Sequence, residues 1–521
     1  MTSGLQTGTK QGISISLHWV YVAALVYLAI HAILFFGCWF SPWAAWPVNL
    51  GIIFSIAVFA WKSRENTRWI PGKSEFLGLL LAAALCMLSL VYAGLLGYIS
   101  PHPDILIFRE ALFQNLVHAP WPLVLPDGKE MSYYLAGVLP AAMLARIAED
   151  YSIQHLIAAC WYALGLWLTL LVIFCRHGKF SWLFLLFIFF LKDPAYIIIN
   201  SFAGNGDIWQ LMGKWIPLPE NHYIGAKSSI FNLIGSGQTC HFIPCTILAA
   251  ALVLYSDSSK KLLLPLAVAL LIPISPLGAI GVLPLAAVRW LTDTSFGSKA
   301  TWYGLFVPLS IVFLCACYYL RAESATCVGL HGQLQQNWAY FLTSDYPCTA
   351  LCGILWLLVL LPRIRKEKLL LVSLLCFLIT PWIYFGSTPE SGVFGNNELW
   401  LKSGIIYHMH FLTTLSFNWK KLPFLKYIFL VATLLLTVYN LYQMKLKLTG
   451  SPMIPDVWNG HLYHQHPSLY QKLPDCKSTF IPGLLQPGGA SEQLFPWSLL
   501  PKAKGCDYTC PAQPDGVHIR F

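Results

Sequence analysis

Between Ile99 and Ser132 the chain reads ISPHPDILIFREALFQNLVHAPWPLVLPDGKEMS, and it places a carboxylate, Asp104, just where an apolar run ends. Beyond it, Ile105, Phe108, Leu112 and Leu116 recur at helical spacing, with Glu110, Gln114 and His118 on another face. This is the pattern of a helix lying flat in a membrane interface, with an acid at its N-terminal edge. Acid–base chemistry at a membrane surface is one use of such a carboxylate. Capping is the other, because His-Pro-Asp ahead of an apolar run is a good helix-start signal, and the two uses are compatible. Pro120-Trp121-Pro122 ends the helix, and an indole there suits the headgroup layer.

Other polar residues gather further along. Gly235-Ser236-Gly237 leads into Gln238, Cys240 and His241 at the mouth of an apolar run. Such a triplet lines a cavity more readily than it packs, since an unpaired imidazole in lipid is costly. Asp207, in Gly204-Asn205-Gly206-Asp207, reads first as turn chemistry, with substrate contact as the alternative. His222 with Glu220 is either a pair or a solvated loop. Glu398 and Lys402 stand four apart, so a local helical ion pair competes with ligand binding. His408 and His410 straddle a helix and cannot face the same way, so at least one is structural. In the tail, His461, His464 and His466 with Cys476, Cys506 and Cys510 have the look of a zinc site. Disulfides are the preferred reading, because the tail is expected in an oxidising compartment, and no metal ligand is assigned.

These groups need a scaffold, and composition names it. Hydrophobic residues make up 57% of the 521, aromatics 15% and charged residues only 11%, against about 25% charged in soluble domains. The chain reads as an all-α polytopic membrane bundle. Apolar segments fall near 17–39, 43–61, 76–98, 133–147, 154–175, 180–200, 230–255, 262–291, 300–320, 346–362, 368–387, 404–418 and 424–444, giving about 12–14 spans across a domain 1–445. An irregular Pro- and Gly-rich tail, 446–521, follows. The net charge of +10 is spread over short loops and reads as orientation, not as a nucleic-acid surface.

Lys62, Arg64, Arg68 and Lys73 mark an inner loop, as do Lys260 with Lys261, Arg363 to Lys368, and Lys420 with Lys421. The N-terminus is then cytoplasmic, and the stretches 99–132, 201–229, 321–345 and 388–403 lie outside with the tail. That parity requires the run 262–291 to be two short helices turning at Ile272-Pro273-Ile274-Ser275-Pro276. It also leaves 133–147 two choices: a return to the outer face, or an additional short crossing. Polar loops concentrated on one side of a scaffold place recognition or catalysis there. No Walker loop, dinucleotide fingerprint, zincin motif, nucleophile elbow or internal repeat is visible.

The block HPDILIFREALFQNLVHAPWPLVLPDGKEMSYYLAGVLPAAMLARI resembles the first outer loop of multispanning bacterial glycosyltransferases of the GT-C type. FAGNGDIWQLMGKWIPLPENHYIGAKSSIFNLIGSGQTCHFIPCTILAAAL is similar to their later loop, SPLGAIGVLPLA to their proline-turn hairpin, and NNELWLKSG to their last acidic-then-basic loop. Phe108-Arg109-Glu110 departs from the pattern, as do Glu398 and Lys402, which stand where Asp and Arg are usual.

The resemblance implies transfer of a sugar from a polyprenyl-phosphate donor to a glycan or lipid acceptor, on the outer face of the bacterial inner membrane. The attacking hydroxyl would give its proton to a carboxylate, for which Asp104 leads. The leaving phosphate needs cations, for which Arg109, Lys227 and Lys402 are available, with Lys129 and Lys214 in reserve. Asp207, Gln238, His241 and Glu398 complete the expected substrate site. No cofactor is expected; a divalent cation stays open. The rival readings are a transporter or flippase for a lipid-linked glycan, and a surface-polysaccharide polymerase or ligase.

Overall fold

The computed structural model describes residues 14–62, 67–92, 113, 116–118, 120–122, 135–148, 151–190, 230, 243–256, 263–293, 299–321, 327–330, 368–379, 383–386, 392–418 and single positions between 427 and 438. Helices dominate. The first are α1 (Leu17–Trp39), α2 (Pro42–Lys62), α3 (Lys73–Tyr92), the short α4 (Leu139–Ala145) with a 3-10 turn at Leu135–Gly137 before it, and α5 (Tyr151–His177). Among the described residues, four stretches are long and apolar enough to cross a membrane, in α1, α2, α3 and α5. Next come α6 (Trp182–Phe190), α7 (Ile243–Tyr255), α8 (Leu263–Leu271), α9 (Pro276–Asp293), α10 (Lys299–Arg321), α11 (Lys368–Ile379) and α12 (Gly392–Phe417).

Among the described residues two short antiparallel strand pairs interrupt this, β1 (Ile15–Ser16) with β2 (Arg68–Trp69) and β3 (Cys327–Leu330) with β4 (Ile383–Gly386). β4 falls inside the run 368–387 that the sequence presents as one span. The helix ends at Ile379, Pro381 follows, and Ile383, Tyr384 and Phe385 are strand formers. The stretch 388–403, expected as an outer loop, is helical from Gly392 on. α12 begins at Gly392, because the good helix formers from Glu398 to Lys402 outweigh the glycines and asparagines around them.

Contacts sort the helix termini into two ends. At one, Leu17 N donates to Thr67 O at 3.2 Å, His18 Nε2 to Ala60 O at 3.0 Å and Tyr21 Oη to Tyr255 O at 2.6 Å, while His177 stacks on Phe417 at 4.0 Å. At the other, Trp39 lies 5.9 Å from Trp121, and Tyr318 packs on Phe35 and Phe40. The first is the basic end, with Arg68, Lys73, Arg176, Lys179 and Arg289.

Two of those cations finish helices. Arg289 donates to Val253 O, to Ser256 O at 2.6 Å and to Ser256 Oγ at 3.2 Å, meeting carbonyls that close α7. Lys179 Nζ donates to Phe417 O at 3.3 Å, at the C-terminus of α12. Both cations neutralise the negative end of a helix dipole. Glu75 does the converse for α3: Oε2 accepts from Gly72 N at 2.9 Å and Oε1 from Phe180 N at 3.1 Å.

Two segments turn back inside the bundle. α8 and α9 form the expected hairpin, with Ile274 N and Ser275 N donating to Leu271 O, and Ser275 Oγ accepting from Gly278 N at 3.1 Å to cap α9 ahead of the Pro276 start. Gly278 lies beside Thr246, while Arg289 reaches the basic end of α7, so the turn is well inside. Of 133–147, the described part from Leu135 on runs from inside the bundle back to one end. His31, about 12 Å below Trp39 along α1, bonds Ala136 O, and ten residues on Arg146 is back at the end marked by Trp121.

Exposed tryptophans mark both rims. Trp43 and Trp46 project from the start of α2, and Trp61 from its end, with Trp19 and Trp182 on the same rim as Trp61. Trp43 and Trp61 are about 27 Å apart by helix rise, close to the ~30 Å hydrocarbon core of a bilayer.

Candidate functional site

At the end opposite the basic loops, the buried residue Leu116 turns its carbonyl toward three N–H groups. Trp121 Nε1 donates at 2.9 Å, Arg146 Nη2 at 3.0 Å and Arg146 Nε at 3.3 Å. The guanidinium carbon of Arg146 lies 4.3 Å from the centre of the Trp121 ring. A cation on an indole face keeps its charge while shedding part of its hydration.

The chain builds this from both directions. Leu116 and Trp121 meet five residues apart through the Trp121 Nε1 bond, and α4, too short to cross, delivers Arg146 to the surface. Arg146 is exposed, as an anion site in the headgroup layer requires. Beside it, half-buried His118 has Nε2 shut from solvent with no hydrogen-bond partner among the described residues. Burial, and then the charge of Arg146, push the His118 pKa below the ordinary imidazole value. Trp39 Nε1, behind Trp121, is likewise buried without such a partner. An exposed guanidinium held on an indole suits a phosphate oxygen.

Asp104, Arg109, Asp207, Lys227, Gln238 and His241 lie outside the described residues, as do Lys129, Lys214, Glu220, His222 and the histidines and cysteines of the tail. Glu398 and Lys402 are one turn apart on the N-terminal half of α12, away from the basic end, and their side chains lie outside the described residues. His408 and His410 divide as expected: buried His410 faces Tyr255, 6.2 Å between ring centres, and half-buried His408 faces Phe377 at 6.1 Å. Cys86 and Cys315 are buried packing residues, whereas Cys160 is exposed on α5.

No family model, curated protein or solved structure matches this chain. Function has to come from the chemistry of its own residues. The one that sequence reasoning passed over is Arg146. Its signal was a lone arginine after an apolar helix of seven residues, too short to cross and so bound to end at a surface. Among the described residues, no three of His, Cys, Asp or Glu are grouped to hold a metal ion.

Proposed function

We propose that this chain is a membrane glycosyltransferase of about 12–14 spans that moves a sugar from a polyprenyl-phosphate donor to a glycan or lipid acceptor. The reaction takes place on the extracytoplasmic face of the bacterial inner membrane, with the N-terminus in the cytoplasm and the tail outside. The observation that carries this reading is the Arg146 guanidinium over the Trp121 ring beside half-buried His118, at the end opposite the basic loops.

The donor's phosphate gains charge as the glycosidic bond to it breaks, and fixed cations stabilise that change. Arg146 joins Arg109, Lys227 and Lys402 in this role. Asp104 takes the proton of the attacking acceptor hydroxyl, and Asp207, Gln238, His241 and Glu398 orient the sugars. The prenyl chain lies along apolar helix surface within the bilayer.

Asp104→Asn keeps the size and polarity of the side chain and removes the base. With purified protein and a polyprenyl-phosphate sugar, the variant is expected to lose transfer by about 100-fold or more while inserting and folding as the native chain does. Full activity removes Asp104 from the mechanism. Two segments that turn back within the bundle, 135–146 and α8–α9, favour a second reading, a flippase for the same lipid-linked glycan, since transporters use broken helices at mid-depth. Movement of intact donor across vesicles without sugar transfer selects it.

A further inference from the structure

We propose that His31 is a positioning residue that fixes the arm carrying Arg146, acting as a neutral imidazole protonated on Nδ1. His31 is fully buried on α1. Its Nδ1 lies 2.8 Å from Ala136 O, and because a carbonyl only accepts, the proton is on Nδ1. Trp161 Nε1 lies 3.1 Å from Nε2, and because an indole only donates, Nε2 offers its lone pair. A second proton on the ring would set two donors against each other.

Both partners are themselves held. Tyr27 stacks on Trp161 with ring centres 4.9 Å apart and donates from its hydroxyl to Trp161 O at 3.2 Å. This close approach uses Gly165, where an added Cβ would meet Tyr27 Oη at 2.6 Å. Cys245 Sγ, from α7, lies 3.7 Å from Nε2. One imidazole therefore joins α1, the 3-10 turn, α5 and α7 well below the surface.

The arm needs such a tie. A 3-10 turn and a seven-residue helix cannot hold their shape by their own hydrogen bonds. Side chains hold it at both ends: His31 on Ala136 at the inner end, and Arg146 with Trp121 on Leu116 at the outer. Without His31 the Ala136 carbonyl loses a donor in an apolar setting, where an unmade bond costs more than a made one gains. The proposed function enters only through what the arm does for Arg146; the geometry stands apart from it.

Hydrogen exchange by mass spectrometry, on the full chain in lipid nanodiscs, tests this with His31→Asn and His31→Phe. The Asn amide places an N–H donor where Nδ1 was; Phe fills the space and donates nothing. His31→Phe is expected to speed exchange of the peptide covering 135–146 by about tenfold or more, with His31→Asn within about threefold of native. The hairpin 263–293 should exchange at the native rate in both. Native protection of 135–146 in His31→Phe, equal loss in His31→Asn, or equal opening of 263–293 overturns the proposal. A native protein that transfers no sugar overturns the proposed function and leaves the exchange result untouched.

Discussion

Arg146 gives two of its N–H bonds to the Leu116 carbonyl and lies over the Trp121 ring, so its orientation is set before any ligand arrives. A lysine in its place keeps the charge but has neither the planar fork nor the stacking face. Arg146→Lys is therefore expected to raise the KM for a polyprenyl-phosphate donor about tenfold or more, measured by steady-state transfer; an unchanged KM removes Arg146 from the phosphate site. His118 supplies a pH signature. Its pKa is depressed in the folded protein, so between the folded and the ordinary value the unfolded chain binds more protons, and stability falls as pH drops through that window. The thermal midpoint of the native protein should fall more steeply below about pH 6.5 than that of His118→Gln; parallel curves refute it. At this scale the sequence announced residue types better than partners. His118 and Trp121 were legible from helical spacing and the prolines, while the shared Leu116 acceptor joins positions 30 apart that no local pattern connects.

Short helices are where local chemistry decided most. The α8–α9 turn was readable because two prolines three apart, Pro273 and Pro276, disfavour a continuous helix and Ser275 between them is a good cap, and the chain turns there. β4 and the long α12 were less legible, since an apolar run does not announce whether it pairs as strand or continues as helix, and tertiary neighbours settle it. The hairpin's close fit carries a prediction. An added Cβ on Gly278 would fall 2.6 Å from Thr246 Oγ1 and 2.9 Å from Ser275 Oγ, and Thr246 is β-branched, fully buried and stiff at χ1. Gly278→Ala should destabilise the protein by about 1–3 kcal/mol. Because Thr246 Oγ1 has no hydrogen-bond partner among the described residues, Thr246→Ala in the same chain should restore part of that loss. A double-mutant cycle on detergent-solubilised protein measures the coupling; strict additivity would show that the two residues do not press on each other.

Across the molecule as a whole, two independent features agree on how the bundle meets a bilayer. Arg68, Lys73, Arg176, Lys179 and Arg289 collect at one end, and two of them, Lys179 and Arg289, finish helices there, so their clustering has a folding reason as well as an orienting one. The exposed indoles divide between the two rims, with Trp43 at 82% and Trp61 at 78% exposure on a single helix. Such exposure of so large an apolar group at both ends of α2 is unfavourable in water and favourable in headgroup layers. The two features together predict that Ser41 and Thr67, both exposed and at opposite ends, face opposite compartments. With the basic end inside, a membrane-impermeant maleimide should label Ser41→Cys on intact spheroplasts above the level set by the parent chain, and label Thr67→Cys only after permeabilisation. Labelling of both from one side would mean that α2 does not cross the membrane. The reverse pattern would move Arg146, and the proposed transfer reaction with it, to the cytoplasmic face, where a donor presented on the outer leaflet cannot reach it.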